Sequence, residues 1–220
     1  MADGKQTAII QAEPRWPVVV ATFAVGILFY SIPESLTVGP NWLLVVIIAV
    51  LMIPSVISHR ERLSKLNQIV AYMTLSVITL ALISSLTLLI VRLPRHMESP
   101  VELLRAAAAL WVGNLLVFAS WCWRLDGGGP NERDRRGIHT DGAFLFPQMM
   151  MDTQLRKQMG EDKWSPGFVD YLFLAFNTST AFSPTDVPVL SRWAKAMMMV
   201  QSSISLATLA LLAARAVNIL

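Results

Sequence analysis

Charge is scarce in this chain. Asp, Glu, Lys and Arg make up 15% of its 220 residues, whereas 54% are apolar, and the mean hydropathy is +0.52. A water-soluble domain carries about a quarter charged residues, so the composition points to a membrane protein. Cysteine is nearly missing: Cys122 stands alone, which excludes an intrachain disulfide. One thiol and three scattered histidines, His59, His96 and His139, offer no metal-ligand spacing. Neither metal nor cofactor is expected. The few carboxylates lie mainly in loops, and no nucleophile and base fall together, so an enzyme is not expected. The net charge of +3 does not imply nucleic acid, because the basic residues sit between apolar runs. Residues 1–15 lack the charged-then-apolar layout and cleavage site of a signal peptide, so the first span is expected to stay attached as an anchor. The first three spans also lack the regular arginines of a voltage sensor.

What is present is a series of apolar runs of helical length. The expected fold is all-α and integral to the membrane, with five transmembrane helices plus one short re-entrant helix and loop. Residues 1–15 form a tail. A three-span region follows over 16–93: Trp16 to Ile32, Pro40 to Ile57 and Ile69 to Val91. Hydroxyl residues are frequent in the third span (Thr74, Ser76, Thr79, Ser84, Ser85, Thr87) and are expected to bond their own helix or a neighbour. The remainder, 101–220, divides into an outer helix at 101–123, a polar linker at 124–164, a short helix at 166–180, a loop at 178–186 and a last helix at 190–220. Asn114 lies near the middle of the outer helix. An amide at that depth is costly unless bonded, so it is expected to join two helices. Trp111, Trp121 and Trp123 are expected to anchor the far end of that helix at the interface.

The stretch Ser165 to Asp186 is the most informative. Ser165 can cap and Pro166 can take the first helical position. Helix to Thr180 would cover roughly 22 Å at about 1.5 Å per residue, less than the roughly 30 Å hydrocarbon core. A hydroxyl-rich turn follows: Thr178, Ser179, Thr180, Ala181, Phe182, Ser183, Pro184, Thr185 and Asp186. In the last helix, Gln201, Ser205 and Thr208 are spaced to share one face. Such a stripe can line water or pack against a partner helix. The three glycines after Leu125-Asp126 follow a helix with no Gly-Lys-Ser pattern, so helix termination is expected there rather than phosphate binding. The apolar island Phe144-Leu145-Phe146 suits lying on the membrane or covering the short helix.

Asp170-Tyr171-Leu172-Phe173 with Phe176, Thr178 and Thr180, and Asp186 before Val187-Pro188, resemble pore-helix and filter text. With the flanking helices, residues 101–220 resemble the outer helix, pore helix, filter and inner helix of potassium-channel-like pore domains. Most of the chain is also similar to a group of uncharacterised bacterial integral membrane proteins. The shared motifs are Trp111 to Asn114, Leu125 to Pro130 and Ala181 to Asp186. The resemblance implies a homo-oligomeric, most simply tetrameric, cation-permeable channel in a bacterial inner membrane. Residues 178–186 would be its selectivity loop, Gln201, Ser205 and Thr208 its inner-helix lining, and monovalent cations and the lipid bilayer its partners. Ala181 to Asp186 lacks both glycines of a potassium filter, so a ladder of four carbonyls is not expected. The alternative is a non-conducting scaffold or accessory subunit that keeps the channel-like fold.

Lys5, Arg15, Arg60, Arg62, Lys65 and the many basic residues of 124–164 fall on one side of a five-span layout. Only Arg92 and Arg95 fall on the other. The bias of basic residues toward the cytoplasm then places the N-terminus and linker there.

Overall fold

The computed structural model describes residues 13–57, 64–92, 99–136, 142–161, 164–183 and 186–219. It is all-helical among these residues apart from one isolated bridge between Phe144 and Val189. The helices are α1 (Trp16–Tyr30), α2 (Leu43–Ile57), α3 (Ser64–Arg92), α4 (Pro100–Leu125), α5 (Pro130–Arg136), α6 (Pro147–Met150), α7 (Thr153–Gln158), α8 (Phe168–Thr180) and α9 (Arg192–Ile219).

Three segments are long and apolar enough to cross a membrane: Asn67–Arg92, Pro100–Arg136 and Arg192–Ala214. Helices α1 and α2 are equally apolar but have 15 residues each, close to 22 Å at about 1.5 Å per residue. Large apolar side chains stand exposed around the bundle, among them Val20, Ile27, Leu80, Val169, Met199 and Leu206. So much exposed apolar surface suits a lipid environment and not water. The protein is accordingly described as a membrane protein.

Helix α4 is the central element and touches α1, α3, α8 and α9. Its start is set by sequence. Ser99 accepts the Glu102 N–H, Glu102 accepts the Ser99 N–H, and Pro100 takes the first turn. Small residues, Ala106, Ala107, Ala109 and Gly113, are buried on it and let its neighbours approach. Gly113 sits so close to Leu82 of α3 that an added Cβ would lie 3.3 Å from its Cδ1.

Two apolar cores flank α4. One joins α1, α2, α3 and α4 through residues such as Phe29, Ile48, Leu82 and Leu110. The other surrounds α8 with Trp123, Phe144, Phe146, Tyr171, Leu174 and Met198. Four of the α3 hydroxyls bond back to their own helix, as expected: Thr74 to the Val70 carbonyl, Thr79 to Leu75, Ser84 to Ala81 and Thr87 to Ile83.

Three tryptophans expected at the interface turn inward. The Nε1–H of Trp111 donates to Ser205 Oγ at 3.0 Å, that of Trp121 to Thr79 Oγ1 at 2.9 Å, and that of Trp123 to the Glu13 carboxylate. An indole N–H inside an apolar bundle needs an acceptor, and each finds one on another segment. The Phe144–Phe146 island covers α8 instead of lying apart. Phe146 packs edge-on to Tyr171 with ring centroids 5.4 Å apart, and Phe144 meets both Tyr171 and Trp193.

Candidate functional site

Helix α8 has 13 residues. It begins later than the sequence suggests. Gly167 is the N-cap, and the Asp170 carboxylate accepts its N–H at 2.7 Å. Ser165 and Pro166 precede the helix because Asp170 satisfies the first free donor from inside the first turn.

The C-terminal half of α8 is gripped by polar groups from α9. Gln201 Nε2 donates to the Ala175 carbonyl at 2.8 Å and to Ser179 Oγ at 3.0 Å. Ser205 Oγ donates to the Ser179 carbonyl at 2.6 Å, and Ser202 Oγ reaches the Thr178 carbonyl at 3.4 Å. From α4, Asn114 Nδ2 donates to the Gln201 carbonyl at 3.2 Å, while Trp111 donates to Ser205. The last carbonyls of a helix have no partner within it. Here the Ser202 and Ser205 hydroxyls of α9 supply two, to Thr178 and Ser179, while the Gln201 amide holds the turn before them. Trp111 and Asn114 lie midway along α4, and Ser205 lies midway along α9. The short helix therefore ends level with the middle of its two long neighbours.

This geometry places each expected site residue. Thr178 and Ser179 are buried, and the Thr178 hydroxyl bonds the Leu174 carbonyl. Thr180 is exposed and bonds back to Phe176. Ala181 closes the helix through its N–H to the Asn177 carbonyl at 2.8 Å. Ala181, Phe182, Ser183 and Asp186 are exposed. Pro184 and Thr185 lie outside the described residues. Phe182 has φ of 55°, a left-handed conformation that is strained for a bulky residue and costs on the order of 1–3 kcal/mol.

Gln201, Ser205 and Thr208 do share a face, but that face is turned inward. All three are essentially inaccessible within a single chain. Thr208 bonds the Ile204 and Ser205 carbonyls. A water path lined by these side chains does not fit this conformation, because their donors are spent on α8 and α9. Asn114 joins α4 to α9 as expected, while its Oδ1 is buried without a partner.

A second polar cluster, which sequence reasoning passed over, fixes the other end of α8. Asp126 is fully buried where α4 ends. Its carboxylate accepts the Tyr171 hydroxyl at 2.7 Å and the Ala143 N–H. Arg133 of α5 donates to the Trp123 and Asp126 carbonyls at 2.8 and 2.7 Å, pairs with Glu13 at 2.7 Å, and lies over the Trp123 and Tyr171 rings. Burial pushes the Glu13 carboxyl above its ordinary range, while Arg133 pulls it back down.

The glycines make this turn possible. Gly127, Gly128 and Gly129 all have positive φ, and a Cβ on Gly129 would sit 2.7 Å from the Arg124 carbonyl oxygen. The signal available in the sequence was an acidic residue directly after an apolar helix and before three glycines. Beyond the cluster, the Leu145 N–H donates to the Pro188 carbonyl at 3.0 Å and the Leu190 N–H to Ala143 at 2.8 Å. The linker thus pairs with the chain between the turn and α9.

No protein-family model matches the chain, and neither a curated protein nor a solved structure matches it.

Proposed function

We propose that the chain is a five-span inner-membrane protein that assembles as a homo-oligomer, most simply a tetramer, and passes monovalent cations through a constriction made by the turn after α8. The observation that carries this reading is the seat of α8. A short helix ends level with the middle of two long apolar helices, and its next residues, Ala181 to Ser183, are exposed. Exposed irregular backbone at membrane depth is tolerated only where it meets protein or lines a water-filled cavity. Copies of the chain around an axis would supply both. The α8 C-terminus carries partial negative charge and Asp186 lies nearby, so a small cation is favoured over an anion.

On this reading α1 and α2 complete the crossing with their flanking turns. Contacts of Glu13 and Arg15 with Arg133 and Asp134 support a shared side for the N-terminal segment and the linker. The Lys and Arg distribution makes that side cytoplasmic. Tyr171, near the start of α8, bonds Asp126 on this same side, so α8 would enter from the cytoplasmic face, inverted relative to potassium channels.

The test is cation flux into liposomes holding the purified protein. Flux should fall in Asp186→Ala and change selectivity in Ser183→Ala. A second reading, a non-conducting scaffold with a channel-like fold, draws on Gln201, Ser205 and Ser179 being engaged inside one protomer while Phe182 occupies the turn. An intact oligomer without flux in any ionic condition would select it. A monomer in membranes would end both readings.

A further inference from the structure

A cavity of about 260 Å³ lies between α1, α3 and the turn that follows α4. Its lining is divided in character: Val18, Met52 and Leu75 are apolar, whereas Arg124, Asn67, Gln68 and the Glu132–Arg135 ion pair are polar. The polar members sit near helix ends. Arg124 is one residue from the end of α4, Gln68 is in the first turns of α3, and Arg15, also in the lining, precedes α1. These ends gather at one end of the bundle, which in a membrane is headgroup depth.

Arg124 is the member without a partner. Its Nε is buried and makes no hydrogen bond. Its guanidinium lies 5.4 Å from the Trp123 ring centroid; Tyr72 acts in favour of its charge, whereas Arg15 and Arg133 carry its own sign and oppose it. Each neighbouring arginine has a carboxylate: Arg15 has Asp134, Arg133 has Glu13 and Arg135 has Glu132. Among the described residues Arg124 has none. Arg124 is half-buried. Holding a guanidinium partly out of water with no counter-charge carries a cost, and the cavity beside it offers room for an anion.

We propose that this cavity binds a phosphate-bearing anion through Arg124, with an amphiphile's glycerol and first methylenes against Val18, Met52 and Leu75. A guanidinium presents a planar fork of donors that matches phosphate oxygens. The Gln68 amide donates to the Tyr72 hydroxyl at 3.1 Å, and its second N–H is able to meet an ester or glycerol oxygen. The same phosphate chemistry could arrive on an anionic phospholipid or as a free ion. The divided lining suits the former. The site stands whether or not the turn after α8 conducts.

The experiment titrates delipidated, detergent-solubilised full-length protein with short-chain phosphatidylglycerol, short-chain phosphatidylcholine and inorganic phosphate, reading occupancy by native mass spectrometry. Phosphatidylglycerol should bind about tenfold more tightly than phosphatidylcholine. Arg124→Gln should remove most of that preference, a loss of about tenfold for the lost charge-assisted contact. Gln68→Ala should weaken binding less, and Lys195→Gln, exposed on α9, should not change it. If Arg124→Gln does not fold, Arg124→Lys and Gln68→Ala carry the test. Millimolar phosphate that displaces phosphatidylglycerol supports the site with a soluble anion as its source. Phosphatidylglycerol that resists displacement supports the lipid source. Equal binding of the two lipids, or native binding by the position-124 and position-68 variants, overturns the proposal.

Discussion

At the scale of single residues, the polar groups of this membrane protein act mainly as fasteners. Gln201 makes two hydrogen bonds to α8 and its carbonyl takes a third from Asn114. In a Cys122→Ala background, Gln201→Cys should resist aqueous thiol reagents, whereas Ser183→Cys, exposed beyond α8, should react. Rapid labelling at position 201 would mean that the stripe faces water after all. Asp126 has a similar role at the other end. Asp126→Asn should lower thermal stability in detergent more than Tyr171→Phe, which removes one bond worth about 0.5–1.5 kcal/mol. Glu13 supplies a pH test. Its folded carboxyl titrates above the ordinary 4.5, so the folded state keeps the proton longer than the unfolded chain. Stability from this group is therefore present below 4.5 and lost as pH rises toward the raised value. Against Glu13→Gln, which cannot titrate, the native melting temperature should fall through that window. An unchanged difference would show that Arg133 cancels the burial. The sequence exposed the spacing of Gln201, Ser205 and Thr208 but not their partner, because a stripe looks alike whether it meets water or another helix. Asp126 was hidden for a different reason: its partners, Ala143 and Tyr171, are 17 and 45 residues away.

At the scale of elements, helix existence was legible and helix ends were less so. The apolar runs announced α1 to α4 and α9, and the short run announced α8. The N-terminus of α8 moved to Gly167 because Asp170 captures its N–H, a choice that Ser165 and Pro166 disguise. The 15-residue lengths of α1 and α2 were nearly legible, since the expected runs, Trp16 to Ile32 and Pro40 to Ile57, reach only a few residues further. The other end of α8 carries the strain. Phe182 follows the C-cap Ala181 in a left-handed conformation, where glycine usually stands. Phe182→Gly should raise thermal stability by about 1 kcal/mol by relieving that conformation. In the flux assay it should also change permeation, because an exposed ring leaves the proposed constriction. A stability loss would indicate that ring packing outweighs the backbone strain.

At the scale of the whole molecule, α4 stands between the α1–α3 helices and the α8–α9 module, and the two are also joined directly, by Ile204 of α9 in the first core and by Val18 and Ala21 of α1 in the second. If copies meet through that module, disulfide crosslinking of Ser183→Cys in the Cys122→Ala background should give dimers in native membranes. Failure to crosslink from several positions between 180 and 183 would count against an axis at the turn. Subunit number was not legible, because one chain presents only one face of any such contact. The pairing of Leu145 with Pro188 and of Leu190 with Ala143 bears on how such an assembly forms. The described residues that flank 184–185 are tied inside their own protomer, Thr178 and Ser179 by α9 and Pro188 and Leu190 by the linker. Flanks fastened this way have little ordering left to do when a second copy arrives, so docking them sacrifices little conformational entropy. Protomers should then mature singly and associate late, and assembly yield should follow protein density in the membrane rather than the speed of folding.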